Sequence, residues 1–238
     1  MKALLLRVGI DSTDGGWQAP VRAKTGEFAY VPITEDRDDK PPRRGLVRRF
    51  DEFIDPVAKL GAELPSRLLG KAAHLDPDFD YLTYGDQGQR ARRIRNLSPG
   101  DLLVFFAALK PVEEPGHSLI YAIIGLYVIE EIVNAKDVPR GRWKENAHTR
   151  RVAKKDDIVV RAKPRVSGRL NRCIPIGEYR NNAYRVRQQL LRAWGGLQVR
   201  DGYIQRSANP PHFRDADSFY RWFRSRSPGV IAANNPRQ

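Results

Sequence analysis

The longest apolar stretch of the chain, Leu119 to Val133, restricts the fold more than any other segment. Gly125, Glu130 and Glu131 interrupt it, so it falls short of the roughly 20 apolar residues that a membrane-crossing helix needs. It reads as a long strand bent at Gly125. A second apolar run, Leu102 to Leu109, follows Ser98-Pro99-Gly100-Asp101, and the hairpin-like loop Lys110 to His117 separates the two. Adjacent, strongly apolar runs of this kind predict the centre of a sheet. Lys2 to Gly9 reads as a first, buried strand; Phe28 to Ile33, Asp157 to Lys163 and Leu197 to Gln205 read as further strands. Helical patterns cover residues 48–72 with breaks at Pro56 and Pro65, then 87–97, Tyr184 to Trp194, and Asp215 to Ser225. The last of these puts Phe219, Trp222 and Phe223 on one side. The expected class is α+β, with a mixed sheet surrounded by helices. Residues 35–46 read as an exposed loop, and the last eight residues as frayed.

At 238 residues and 41% apolar content the chain suits one large domain. Its charge is unevenly spread. Residues 1–139 carry 19 Lys and Arg against 21 Asp and Glu; residues 140–238 carry 23 against 7. The division therefore separates a mixed α/β part, 1–139, from a basic part, 140–238, within one compact domain. A block of this charge attracts a polyanion through Coulomb steering and counterion release. Arg outnumbers Lys in it, and guanidinium forks onto phosphate and stacks on bases. Nucleic acid is therefore the expected partner, ahead of an anionic membrane or an acidic protein. Double-stranded DNA is the expected form. The candidate contacts are Arg90 and Arg93 on the basic helix, then Arg140, Arg142, Trp143, Lys144, Arg150, Arg151, Lys154, Arg161, Arg165, Arg169, Arg172 and Arg185. Trp143 lies among cations, where it can stack on a base or anchor to the core. The single cysteine, Cys173, allows no internal disulfide and no multi-cysteine zinc site. With no signal-peptide pattern after Met1, a reducing, cytoplasmic compartment is expected.

Three short segments carry chemistry. In Gly9-Ile10-Asp11-Ser12-Thr13-Asp14-Gly15-Gly16-Trp17, a carboxylate and a hydroxyl follow a strand beside glycines that permit close backbone approach. The same residues also make an ordinary turn. In His74-Leu75-Asp76-Pro77-Asp78, alternation along an extended segment puts His74, Asp76 and Asp78 on one side. Such a group suits general acid–base work, or else one aspartate caps a turn. No metal is expected there, because no second His or Cys lies at ligand spacing; His117 and His148 look isolated and superficial. In Tyr84-Gly85-Asp86-Gln87-Gly88-Gln89, an aromatic ring and two amides suit the face and edge of a base. Asp86 also fits as the N-cap of the basic helix. The candidate catalytic residues are Asp11, His74 and Asp76. The candidate substrate contacts are Ser12, Gly15, Gly16, Trp17, Asp78, Tyr84, Gln87 and Gln89. No P-loop or Rossmann glycine pattern is present, so no cofactor is expected.

Two resemblances follow from these segments. The Pro99-Gly100-Asp101 turn into Leu102–Phe106, followed by Ile120–Val128, resembles the central strands of PUA, ASCH and EVE domains. That resemblance implies a partly barrel-like, PUA-like sheet that holds RNA or modified DNA bases. The order Asp11-Ser12 with Gly15-Gly16, His74 with Asp76-Pro77-Asp78, and Gly100-Asp101 with Phe105-Phe106 resembles the third nucleotide-modification-associated domain family. These motifs span the first 130 residues, and the resemblance implies a connection with modified DNA bases. The expected activity is DNA N-glycosylase: hydrolysis of the N-glycosidic bond of a flipped-out, hypermodified base. Asp11 or Asp76 would stabilise the sugar cation, and His74 would protonate the leaving base. A non-catalytic reader of modified bases and a base-modifying transferase are the alternatives. The enzyme reading expects Asp11 and the His74–Asp76 segment to converge on one pocket bordered by the basic part.

Overall fold

The computed structural model describes residues 1–12, 16–35, 44, 46–113, 118–205 and 209–236. Twelve strands are present among them. They are β1 (Ala3–Arg7), β2 (Pro20–Val21), β3 (Ile33–Thr34), β4 (Ala73–His74), β5 (Thr83–Asp86) and β6 (Leu102–Pro111). Then come β7 (Ile120–Asn134), β8 (Ile158–Ala162), β9 (Gly168–Pro175), β10 (Gly177–Arg180), β11 (Ala183–Val186) and β12 (Val230–Ile231). Four short helices accompany them: α1 (Ile54–Ala58), α2 (Gly88–Ile94), α3 (Gln188–Ala193) and α4 (Ala216–Ser225).

The two long apolar runs pair antiparallel as β6 and β7, and β1 joins the outer edge of β6 in parallel. Phe105 pairs with Gly125 and Phe106 with Ile123, so Ile124 is an inserted residue that bends β7. A methyl group on Gly125 would lie 2.6 Å from the Phe79 ring, and glycine is what lets that ring close over the bend. Past the bend, β7 exchanges partners. Its first half pairs with β9 and its second half with β8, which carries β5 at its far edge. This mixed α+β sheet, ordered β1-β6-β7-β8-β5 with β9 and β12 branching from β7, does not close into a barrel among the described residues.

Alternation along β1, β6 and β7 sends side chains to two separate cores. Leu4, Leu103, Phe105, Ile124 and Tyr127 face the first, where Phe50, Phe53, Leu75, Phe79 and Tyr84 pack. Leu5, Val104, Phe106, Ile123 and Leu126 face the second, closed by Trp194, Phe213 and, from α4, Phe219 and Phe223.

Several local expectations are revised. Phe28 to Ile33 forms only an isolated bridge at Phe28 before β3. Pro56 does not break its helix; it occupies the first turn of α1, where a missing N–H costs nothing. Tyr184 to Trp194 is not one helix. It begins in β11, after Asn181 and Asn182 with φ of 51° and 57°, the two left-handed residues that turn a tight hairpin. Leu197 to Gln205 is broken by a 3-10 turn in which Asp201 is left-handed. The chain end is docked as far as it is described: Asn234 is buried, and Asn235 exchanges hydrogen bonds with the Tyr30 backbone at 2.9 and 2.8 Å. Most of the loop expected at 35–46 lies outside the described residues, as do His117 and residues 237–238.

Candidate functional site

The first core ends in a group of buried charges. His74 closes β4, held in register by pairing with Ile33 of β3, and fully buried Leu75 anchors the next turn of chain. Asp76 follows, joined to Pro77 by a cis peptide. Its Oδ1 accepts from the Gly85 N–H of β5 at 2.8 Å and from Asn146 Nδ2 at 2.7 Å. Asn146 also orders the segment that leads into β8. Its side-chain oxygen accepts from the His148 N–H at 2.9 Å, and its carbonyl accepts from the Thr149 and Arg150 N–H groups. His148 is thereby brought across from a distant part of the chain to Asp76.

Three groups then converge. The Nε2 atoms of His74 and His148 lie 2.8 and 3.1 Å from Asp76 Oδ2. The side chains of His74, Asp76 and His148 are only 8, 8 and 4% exposed. Behind the imidazoles stand further carboxylates. Glu35 Oε1 is 3.3 Å from His74 Nδ1, and Asp157 Oδ1 is 3.2 Å from His148 Nδ1. Arg151 sits between them, with Nη2 3.0 Å from Asp157 Oδ2 and 2.8 Å from His148 Nδ1. A guanidinium only donates and a carboxylate only accepts, so Arg151 and Asp157 select opposite tautomers of His148.

Burial alone would discharge His148, but the Asp76 carboxylate and the contacts with Asp157 outweigh it and push its pKa up to about 9. Burial likewise opposes ionisation of Asp76, yet the two imidazoles hold it well below the usual carboxylate range. Asp157 is also lowered: His148 and Arg151 overcome its desolvation. Without another ligand the centre is an ion pair of Asp76 with protonated His148. It can hold a proton, give one to a leaving group, or exchange protons for a cation through the three converging atoms, which all lie within 4.8 Å of one another.

Asp78 does not join this group. Fully buried, it is clamped by Arg150 and accepts from Asn234 Nδ2 at 2.9 Å, with Arg48 at 3.8 Å. Beyond it a cleft of about 520 Å³ opens between Arg48, Glu52, Lys59, Asp80 and Asn234, and none of the three converging residues lines it. Asp11 is elsewhere: it pairs with Arg7 at 3.1 Å and acts on the Tyr121 ring, a second-core residue. Asp11 therefore reaches toward Tyr121 of the second core, whereas the His74–Asp76 segment is anchored by Leu75 in the first. Ser12 and Gly16 are exposed, Trp17 packs against the first core, and Gly15 lies outside the described residues. Tyr84 is buried and donates to Asp86 Oδ2 at 2.6 Å, while Gln87 and Gln89 are exposed. Asp86 does not cap α2; Gln87 holds that position, and Asp86 pairs with Arg90 at 3.2 Å.

The basic residues divide in the same manner. Arg140, Arg142, Lys144, Lys154, Arg165 and Arg172 are exposed, and Arg90, Arg93, Arg161 and Arg185 are partly so. Arg150, Arg151 and Arg169 are interior and committed to Asp78, to Asp157, and to the Phe28 carbonyl and ring. Trp143 is half-buried; its indole N–H donates to the Val138 carbonyl at 3.0 Å, and Arg44 lies 3.6 Å above its ring. His148, which looked superficial in the sequence, is the principal residue that sequence spacing missed. The expectation of no metal rested on the lack of a second imidazole near His74, and the fold supplies one. The clue was Asn146-Ala147-His148, where an amide precedes the imidazole in a segment otherwise occupied by charge.

The family described as nucleotide modification associated domain 3 has a model that matches residues 2–214. The chain belongs to that family. The match runs from Lys2, just before β1, through Arg214, so the basic part lies largely inside the family domain, beyond the 130 residues covered by the sequence motifs. All the groups around Asp76 described above lie within it. The domain's role is accordingly connected with modified nucleotides. Neither the curated proteins nor the solved structures compared contain a match. No helix among the described residues is long and apolar enough to cross a membrane.

Proposed function

We propose that the protein acts on a modified base in nucleic acid, with His74, Asp76 and His148 as its reactive centre and the exposed basic residues as its phosphate-binding surface. One observation carries this reading: two imidazoles from separate segments of the chain converge on a single buried carboxylate oxygen. A histidine kept only for packing satisfies its ring nitrogens on whatever carbonyls surround it. Aiming two at one carboxylate concentrates charge where burial makes charge costly, an arrangement expected of functional sites. The segment that supplies His148 also carries exposed Arg140, Arg142 and Lys144 a few residues earlier, which places cations for phosphate close to the centre in the chain.

Hydrolysis of an N-glycosidic bond needs few parts. The bond from C1′ to the base nitrogen breaks, a water oxygen bonds to C1′, and the departing nitrogen takes up a proton. Asp76 would orient the water and stabilise positive charge on the sugar, and a protonated imidazole would supply the proton. Asp11 has no part in this scheme, because its ion pair with Arg7 and its influence on Tyr121 place it toward the second core. A second reading is a reader that holds a modified base without cutting it. It is favoured by the low exposure of the three side chains and by a cleft that stops short of them.

Incubation with phage DNA carrying glucosylated hydroxymethylcytosine, beside unmodified DNA, separates these readings. The enzyme reading expects alkali-labile abasic sites in the modified DNA alone. It also expects at least about 100-fold fewer of them with Asp76→Asn and an undiminished yield with Asp11→Ala. Tight binding without abasic sites would leave the reader.

A further inference from the structure

We propose that His74 Nε2, Asp76 Oδ2 and His148 Nε2 bind one divalent transition-metal cation. Asp76 Oδ2 is buried and receives no hydrogen bond, although two ring nitrogens lie 2.8 and 3.1 Å away. Neither contact satisfies hydrogen-bond geometry, and the three atoms lie within 4.8 Å of one another, where one cation can take the carboxylate oxygen and a lone pair from each ring together.

The distances fit a metal. With ligand bonds of about 2.1 Å, separations of 2.8 and 3.1 Å subtend about 84° and 95° at the ion. Both lie near the right angle between adjacent positions of an octahedron. Two imidazoles and one carboxylate on a face, with the remaining positions open, is a recognised set for divalent iron and its first-row neighbours. The rings stand 5.2 Å apart at 70° to one another, so they approach from different directions instead of stacking.

The surroundings also match what holds such ligands. A metal-bound imidazole donates its other N–H to a carboxylate, which fixes the tautomer and the ring. Glu35 is placed for His74 and Asp157 for His148, at 3.3 and 3.2 Å. Asp157 Oδ1 is itself buried without a hydrogen bond. A single assignment resolves both orphans. The cation takes Asp76 Oδ2, His148 donates Nδ1–H to Asp157 Oδ1, and Arg151 turns wholly to Asp157 Oδ2. Gly85 makes the approach possible, because a methyl group there would lie 2.4 Å from the His148 ring. The cation would supply Lewis acidity and an activated water at its open positions, and with it bound that water, rather than an imidazole, would be the source of the proton for the leaving base.

This site is the centre assigned above to catalysis, but its metal content is read without any activity, so either reading can fail alone. Tag-free full chain, purified without chelator, is analysed for metals; stripped protein is then titrated with Zn²⁺ alone and with Co²⁺ alone. The expected results are one saturable site, visible cobalt absorption, and at least about 100-fold weaker binding in His148→Gln. Asp157→Asn, which leaves all three ligands in place, should weaken binding by about 10–100-fold, and Asp11→Asn should leave it unchanged. Stripped, folded protein that takes up neither ion, or binds both equally in wild type and in the folded Asp157→Asn variant, would overturn the proposal. The His–Asp–His group would then be an internal ion pair.

Discussion

On one side of the central sheet the core gives way to charge; on the other it remains apolar and aromatic. The first side holds Asp76, Asp78, Asp86, Asp157, Arg150 and Arg151 around His74 and His148, nearly all of them inaccessible. The second is filled by Trp194, Phe213, Phe219 and Phe223 in edge, tilted and stacked ring contacts 4.2–6.0 Å apart. Both sides are built on the same strands, whose alternate residues feed both cores. The first spends stability on holding charges in place; the second supplies apolar burial with little electrostatic specificity. A fold organised in this way holds a network of buried charges at the margin of its first core while the second stays apolar.

The largest expected effect tests the charged side. Arg150→Ala strands the Asp78 carboxylate, which is fully buried and whose pKa burial already raises despite Arg150. Denaturant unfolding should show a loss of about 3–5 kcal/mol, and replacing both partners (Arg150→Met with Asp78→Leu) should recover most of it. A double variant as unstable as the single one would mean that the network adds stability rather than specificity. Gly85→Ala should be smaller, about 1–3 kcal/mol for overpacking. It should also displace His148 and Asn146, whose atoms a methyl group would meet at 2.4 Å. Side-chain NMR of His148 would detect the displacement even where the melting temperature hardly moves. The smallest effect belongs to the second side. Asp215 caps α4 by accepting the Ser218 N–H at 2.8 Å, and Asp215→Ala should cost about 1 kcal/mol. That loss should leave the histidine signals of the first side unshifted; if they shift, the two sides are coupled through the sheet.

What could be read in the sequence followed local rules. β6, the bent β7 and α4 lie where apolar pattern, Gly125 and the Asp215 cap place them, because each is determined by its own residues. His74 and Asp76 were visible as a motif because they are two positions apart. His148 was not, because its meeting with Asp76 depends on β5 pairing with β8 and on Asn146 bridging to Asp76. The hairpin at Asn181–Asn182 was legible in principle, since paired asparagines favour left-handed turns, but the flanking Tyr184–Trp194 pattern suited a helix as well. Charge counting located the basic part, yet it could not separate Arg142 on the surface from Arg151 inside. That distinction arises only when Asp157 and Arg151 are buried together. Tyr84, expected against the face of a base, is placed by the same kind of long-range packing: its ring turns from β5 into the first core, where it lies 5.3 Å from Phe105.

The most direct test of the division between the two sides is histidine and tryptophan side-chain NMR during titration with duplex DNA carrying a glucosylated hydroxymethylcytosine, with unmodified duplex alongside. His74 and His148 report the first side; the Trp194 indole, fully buried in the second core, reports the other. The account predicts that modified DNA shifts or broadens His74 and His148 while Trp194 stays in place, and that unmodified duplex moves them less. Saturating binding of modified DNA that perturbs Trp194 and leaves both first-side histidines unmoved would contradict it.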